Sequence, residues 1–462
     1  MTVTTSTAPR VTIIGGGSFH WSPRLLADFC NTPSLHATHV VLHDLDHVAA
    51  LRMASLGSEF AKRRSIPMRV EAVADVASAL RGADAVISAF SVGGLESMRH
   101  DIEIPQRYGI HQPIGDSVGP GGVARALRSV PVVRQMAHDV EAHAPGAWFV
   151  NVSNPLSALT RTIARETNLR VVGLCNELVG LKFQLSLLFD VGMHDIDFVV
   201  GGVNHFPIVT QLRIGDDDQG LERLGAIADE PPDTPLWMEP PDGLHWHKVS
   251  SGDRWTKRDV IANLAVKLEL LRRFGLLPGA NDHHIVEFMP GFVHSDADHG
   301  APWRVRHWGI EGHRADADDD VAEYERQRDA PDVTRMPSGE LVATVLDGLF
   351  GGSTHDVPVN LPNQGQVTSL PDGTVVECVG VVDAMGIRPR DVTSIPGIVG
   401  EYVRRAAVSQ ELTVDAALAV DRDLALAAML ADPLAGRLPY EQVVALTNDM
   451  IDAMAPWTAT GW

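Results

Sequence analysis

The tightest constraint on the fold lies near the N-terminus, where a β-branched run at residues 11–14 breaks into Gly15-Gly16-Gly17-Ser18. Helical apolar spacing follows over residues 21–30, with Pro23 near its start. A strand, a glycine turn and a helix in that order leave few architectures open. Glycine at 15 permits the tight turn, glycine at 17 lets main-chain N–H groups face a pyrophosphate, and the helix N-terminus adds partial positive charge. His20 replaces the third glycine of the usual G-x-G-x-x-G pattern. Asp44, however, closes the next apolar run, 27 residues beyond Gly17, where a carboxylate suits a ribose 2'-hydroxyl and favours NAD over NADP.

The rhythm continues. Apolar runs at 68–72, 85–90, 148–152 and 171–174 predict further strands, and their nearly continuous hydrophobicity argues for a parallel sheet covered on both faces. The expected organisation is α/β: a Rossmann-type nucleotide-binding domain over residues 1–200, then an α+β domain over 201–462 for substrate, metal and oligomerisation. In that second half, residues 214–243, with GDDDQG and PPDTPLWMEPPDG, read as an exposed excursion. Residues 259–274 and 416–430 each read as a helix, residues 366–382 as a hairpin turning at Pro371-Asp372-Gly373, and residues 314–329 as a solvated charged face.

Composition removes several function classes. Lys and Arg total 38 against 59 Asp and Glu, a net charge of -21 that repels nucleic-acid backbones and anionic membranes. Cys30, Cys175 and Cys378 are too few and too scattered for a disulfide framework. No apolar run approaches the ~20 residues of a membrane span, and the first residues lack a secretory pattern, so a cytoplasmic location is expected.

Four groups of residues carry chemistry. Cys175 and His205 each follow an apolar strand, and a thiolate with an imidazole makes a soft, incomplete ligand pair with positions open for substrate oxygens; core filling is the competing reading. Asn281, Asp282, His283, His284 and Glu287 gather in GANDHHIVEFMP, where a general base or a further metal ligand competes with a hydrogen-bonded loop. His111, Asp116 and the GPGG that follows form a loop placed at the carboxyl edge of the sheet. Asn151 and Asn154 sit in NVSNP at an abrupt strand end.

Taken in order, IIGGGSFHWSP, DIEIPQRYGIHQPIGDSVGPGGVARALRSVP, NVSNP, GLCNE, GGVNHF and VNLPNQG resemble glycoside hydrolase family 4, the NAD- and divalent-metal-dependent glycosidases, whose fold is similar to that of lactate and malate dehydrogenases. The resemblance implies hydride removal from sugar C3, deprotonation at C2, elimination of the aglycone, addition of water and return of the hydride. A metal, usually Mn²⁺, acts as Lewis acid. It assigns Cys175 and His205 to the metal, Gly15, Gly17, Ser18, Asp44 and Asn151 to NAD, Asn154 and Asn176 to the sugar, and Asp116 to the leaving oxygen.

Many members use a tyrosine as C2 base, but Tyr108, Tyr324, Tyr402 and Tyr440 all lie outside the 279–290 cluster, so His283, His284 or Asp282 is the expected replacement. An unphosphorylated sugar or uronate glycoside is the expected substrate, of open anomer, and a homodimer or homotetramer the expected assembly. A 6-phospho-β-glucosidase, which Asn176 after the cysteine suits, a lactate/malate-type dehydrogenase and a nucleotide-binding regulator without turnover are the alternatives.

Overall fold

The computed structural model describes residues 8–230, 256–293, 300–305, 309–333, 338–458 and 461–462. Strands β1 (Arg10–Ile14), β2 (His39–His43), β3 (Arg69–Ala72), β4 (Ala85–Ser88), β5 (Trp148–Asn151) and β6 (Arg170–Gly173) pair in parallel in the spatial order 3-2-1-4-5-6. Their side chains divide between two cores. Val11, Ile13, Val40, Leu42, Ile87, Val150 and Val172 pack under the helices Trp21–Asn31 and His47–Arg64. Ile14, Val86, Phe149 and Val171 pack under the helices Gly119–His143 and Leu156–Glu166 and the C-terminal helices. Burial on both faces, at roughly 1.5–3 kcal/mol for each large aliphatic side chain, explains why the inner strands read as apolar runs, whereas the edge strand β3 (RVEA) stays partly exposed.

The remaining strands are antiparallel to their neighbours and belong to the same sheet: β7 (Ile196–Val203), β8 (Phe206–Ile214), β9 (Leu277–Pro278), β10 (His355–Pro362), β11 (Val375–Asp383) and β12 (Gly386–Pro389). The β10–β11 hairpin lies between β6 and β7. It is attached to β6 through the pair Asn360–Gly173 and to β7 through Glu377–Gly202. Residue 200 falls within β7.

Several local expectations are corrected. Residues 259–274 form two helices, Lys257–Ala262 and Ala265–Phe274, the first opened by a reciprocal cap between Thr256 and Asp259. Residues 416–430 are the end of Gly397–Ala419 and most of Arg422–Ala431, divided where Val420 takes φ +54° and Asp421 caps Asp423 and Leu424. The hairpin arm opposite β11 is β10, not residues 366–370, because Pro358 and the polar residues of HDVPVNLP hide its alternation. The intervening loop is held by Asn363, whose amide donates to the carbonyls of Val367 and Leu370.

The charged segment lies in the helix Gly309–Asp329. That helix buries Tyr324 and Gln327 and docks on the first helix through Asp320, 2.9 Å from Arg24 and 2.8 Å from His20. The sequence PPDTPLWMEPPDG lies outside the described residues.

Candidate active site

The glycine turn is built by close approach. Gly15 has φ +85°, and a Cβ there would lie 2.0 Å from the Ala89 carbonyl oxygen. A Cβ at Gly17 would stand 2.8 Å from Ala49 Cβ and 2.9 Å from Asp44 Oδ2. The N–H groups of Gly15 and Gly16 both donate to the His43 carbonyl at 2.9 Å, and Gly17 N–H donates to Asp44 Oδ2 at 2.9 Å. Gly17 is thus required for space, and its own N–H, expected to face a ligand, is taken by Asp44. Ser18 Oγ accepts from Trp21 N–H at 3.0 Å and opens the helix, while Leu45, next to Asp44, is fully exposed.

Two other expectations at this edge are corrected. Asn151 is wholly buried and its amide is consumed inside the protein: Oδ1 accepts from Ser88 and Ser153, and Nδ2 donates to Ser153, Leu156 and Thr160. Its side-chain amide shapes the strand end and is not free to bond a ligand. The GPGG turn is likewise spent on packing, with Gly119 N–H on Asp432 at 2.8 Å and Gly121 N–H on Gln112 at 3.0 Å.

A few residues away, three segments converge. Asp116 precedes the helix Gly119–His143, His205 occupies the β7–β8 turn with φ +64°, and His284 sits on the helix Asp282–Phe288. Ligand atoms of these three residues lie within 4.8 Å of one another, and the two imidazoles stack at 3.7 Å. Ser117 Oγ bridges Asp116 Oδ1 and His205 Nδ1 at 2.8 Å each, and Asn154 Nδ2 donates to Asp116 Oδ2 at 2.7 Å. Cys175, just past the end of the strand Arg170–Gly173, lies close enough to His205 for the two to act on each other electrostatically. The sequence pair Cys175 and His205 is therefore brought together, and Asp116 and His284 join it as potential ligands.

Burial opposes charge on every group here, and local partners decide the outcome. At Asp116 the upward push of burial is outweighed by the neighbouring His205 imidazole, 3.6 Å away, which holds the carboxyl well below its ordinary range. This favours the carboxylate form, the one that ligates a divalent ion. Burial pushes the Cys175 thiol up, and it pushes His284, with help from the His205 charge, down to about 4. A neutral imidazole is what metal ligation requires, and His284 Nδ1 is buried without a partner.

Asp282 is not available as a base. Its carboxylate accepts from Val266 and Lys267 N–H at 2.8 and 3.3 Å and lies 3.6 Å from Lys267 Nζ, capping another helix through space. His283 holds its Nδ1 2.6 Å from Asn281 Oδ1. Asn176 Nδ2 donates to Glu340 at 2.8 Å. Tyr108 is engaged with Asp449 and Tyr324 with Phe19, away from this cluster.

Three carboxylates complete the surroundings, Glu287 and Glu377 fully buried and Glu177 partly so. Glu177 accepts from Asn281 N–H at 2.5 Å and lies 4.0 Å from His284 Nε2. Glu287, raised to about 8 by burial, accepts from Ile114 and Gly115 N–H through one oxygen and leaves the other unpartnered. Glu377, raised to about 7 by burial, accepts from Asn204 at 3.2 Å. Glu177 and Glu377 were not nominated from the sequence; a lone acid inside the apolar run VVECVGVV was the available signal for Glu377.

Comparison with known proteins is consistent across the chain. A family model described as family 4 glycosyl hydrolase matches residues 10–191, and its C-terminal domain model matches residues 200–435. The α-galacturonidase of Bacillus subtilis is 30% identical over 458 residues, spanning 96% of this chain and 97% of its own length. That of Thermoanaerobacterium saccharolyticum is 28% identical over 92% of this chain and 91% of its own.

Among solved structures, lplD from Bacillus subtilis is 29% identical and superposes with a TM-score of 0.82 over 96% of this chain and 99% of its own. A 6-phospho-α-glucosidase from gut microorganisms, solved with NAD and Mn²⁺, gives 0.79 at 20% identity over 98% and 99%. Malate dehydrogenase from Plasmodium falciparum shares the fold at 0.51 and 11% identity over 90% and 99%.

Proposed function

We propose that this chain, which belongs to family 4 of the glycosyl hydrolases, cleaves α-galacturonides through transient oxidation of the sugar ring. The observation that carries the reading is the cluster of Asp116, His205 and His284 on the sheet edge that also bears the Gly15–Gly17 turn. The substrate class follows the names of the α-galacturonidases from Bacillus subtilis and Thermoanaerobacterium saccharolyticum.

The residues fit both groups that such chemistry needs. A dinucleotide has a close-approach turn that any Cβ would fill, a carboxylate at the end of β2 and the exposed Leu45 beside it. A divalent ion has a carboxylate, two imidazoles and an adjacent thiol, with His284 Nδ1 otherwise unpartnered. When bound, NAD supplies a hydride acceptor and the metal a Lewis acid for the sugar's C2 and C3 oxygens.

Around them, Asn154 and Ser117 orient Asp116, and Ser117 also fixes His205. His283 takes the C2 proton: with Nδ1–H directed to Asn281, its basic lone pair is on Nε2. Asn176, its Nδ2 held by Glu340, turns Oδ1 toward a sugar hydroxyl.

The test is a panel of 4-nitrophenyl glycosides comprising the α-galacturonide, the α-galactoside and the 6-phospho-β-glucoside. NAD, Mn²⁺ and a thiol reductant are omitted in turn. Galacturonide release that needs NAD and Mn²⁺ is expected. Release without them would overturn the redox route, and NADH accumulating without release would indicate a dehydrogenase.

A further inference from the structure

Arg125 lies on the helix Gly119–His143, nine residues after Asp116, and is half-buried. Among the described residues its guanidinium makes a single hydrogen bond, to Ser91 Oγ at 3.3 Å, and has no carboxylate within ion-pair distance. Its neighbours are matched: Arg128, one turn on, grips Asp101 at 2.5 Å with both groups wholly buried, and Arg99 pairs with Glu103. The opposite charge that acts most strongly on Arg125 is Asp116 itself.

His313 lies on the helix Gly309–Asp329, whose first turn is anchored by Ile310 packing on Met98 and Ile102. His313 Nε2 is buried without a partner, and the ring lies within electrostatic reach of both Asp116 and Arg125.

A partly desolvated cation without a counter-ion is costly, and once Asp116 serves a divalent ion this side of the corner is more positive still. It calls for an anion from outside. A guanidinium with most of its N–H fork uncommitted matches a planar carboxylate in two-point fashion. On the α-galacturonide reading above, the geometry points to Arg125, with His313 beside it, as the receptor for the substrate's C6 carboxylate and hence the residue that sets specificity for uronides. A C6 phosphate is likewise an anion, though with close to twice the charge, so both anions enter the test.

The experiment compares kcat/KM for the 4-nitrophenyl α-galacturonide, α-galactoside and 6-phospho-α-galactoside in wild type, Arg125→Gln and Arg125→Lys. Arg125→Gln is expected to lose about 100-fold on the galacturonide, chiefly in KM, while the galactoside changes little. Arg125→Lys restores part of the loss, and NAD binding stays constant in both. Equal loss on galacturonide and galactoside, or loss of NAD binding, overturns the proposal by showing a structural role; an unchanged substrate ratio in either folded variant overturns it directly. Should Arg125→Gln fail to fold, Arg125→Lys and His313→Gln carry the same comparison. A wild type that prefers the galactoside or the phosphorylated sugar overturns the substrate reading itself, whereas a galacturonide preference indifferent to Arg125 removes only this residue's role.

Discussion

At the glycine turn the loop answers its own polar groups: the N–H groups of Gly15, Gly16 and Gly17 are taken by His43 and Asp44. At the corner of Asp116, His205 and His284, buried atoms remain unanswered, namely His284 Nδ1 and single oxygens of Glu287 and Glu377, and His205 holds a left-handed backbone without being glycine. The two regions share one sheet edge and differ in what finishes them. The turn is complete as protein and can bind a dinucleotide without being organised by it. The corner is complete only with something added, so its geometry and its occupancy are coupled.

Substitution can break or sharpen that contrast. The largest effect is expected from Cys175→Ser: metal-dependent activity should fall by more than about 100-fold while NAD affinity, read by fluorescence titration, stays near wild type. Parallel loss of both would mean the two regions are not separable. His283→Ala is expected to lower turnover by roughly 100-fold or more, to keep single-turnover NAD reduction, and to stop exchange of the C2 proton with solvent, followed by NMR in D₂O. Continued exchange would assign the base elsewhere.

Gly17→Ala acts on the other region. Crowding Ala49 and Asp44 should cost about 1–3 kcal/mol of stability and weaken NAD binding, with Mn²⁺ titration unaltered. The smallest effect is expected from Glu340→Gln. Burial, with the Asp28 charge, raises the Glu340 carboxyl from 4.5 to about 8, so the folded state binds more protons than the unfolded one across that interval. Wild-type stability therefore falls as pH rises through it. The variant should show a shallower decline, by about 1 kcal/mol or more, in melting curves taken at both ends.

The parallel half was legible because burial on both faces writes its inner strands as apolar runs, the edge strand β3 (RVEA) being the partly exposed exception. The antiparallel half was not, since β10 carries Pro358 and polar residues and its pairing with β11 spans a loop held by Asn363. Cys175 and His205 were readable because each closes an apolar strand. Asp282 was misread because its partners, Val266 and Lys267, are remote in sequence and belong to another helix. Asn151 looked like an edge group, whereas its five hydrogen-bond contacts to Ser88, Ser153, Leu156 and Thr160 turn it inward. Spacing reports where a side chain starts, while its hydrogen-bond partners decide where it is used.

The narrow attachment of the β10–β11 hairpin has a mechanical side. Gly173, Asn360, Glu377 and Gly202 form one row across the sheet, and on each flank a single residue pair crosses the joint. Cys175 and His205 lie two and three residues beyond the row's outer members. The helix Gly397–Ala419 packs through Val414, Ala416 and Ala417 into the same core as Gly119–His143, so sheet and helices together tie the two halves where these two residues stand.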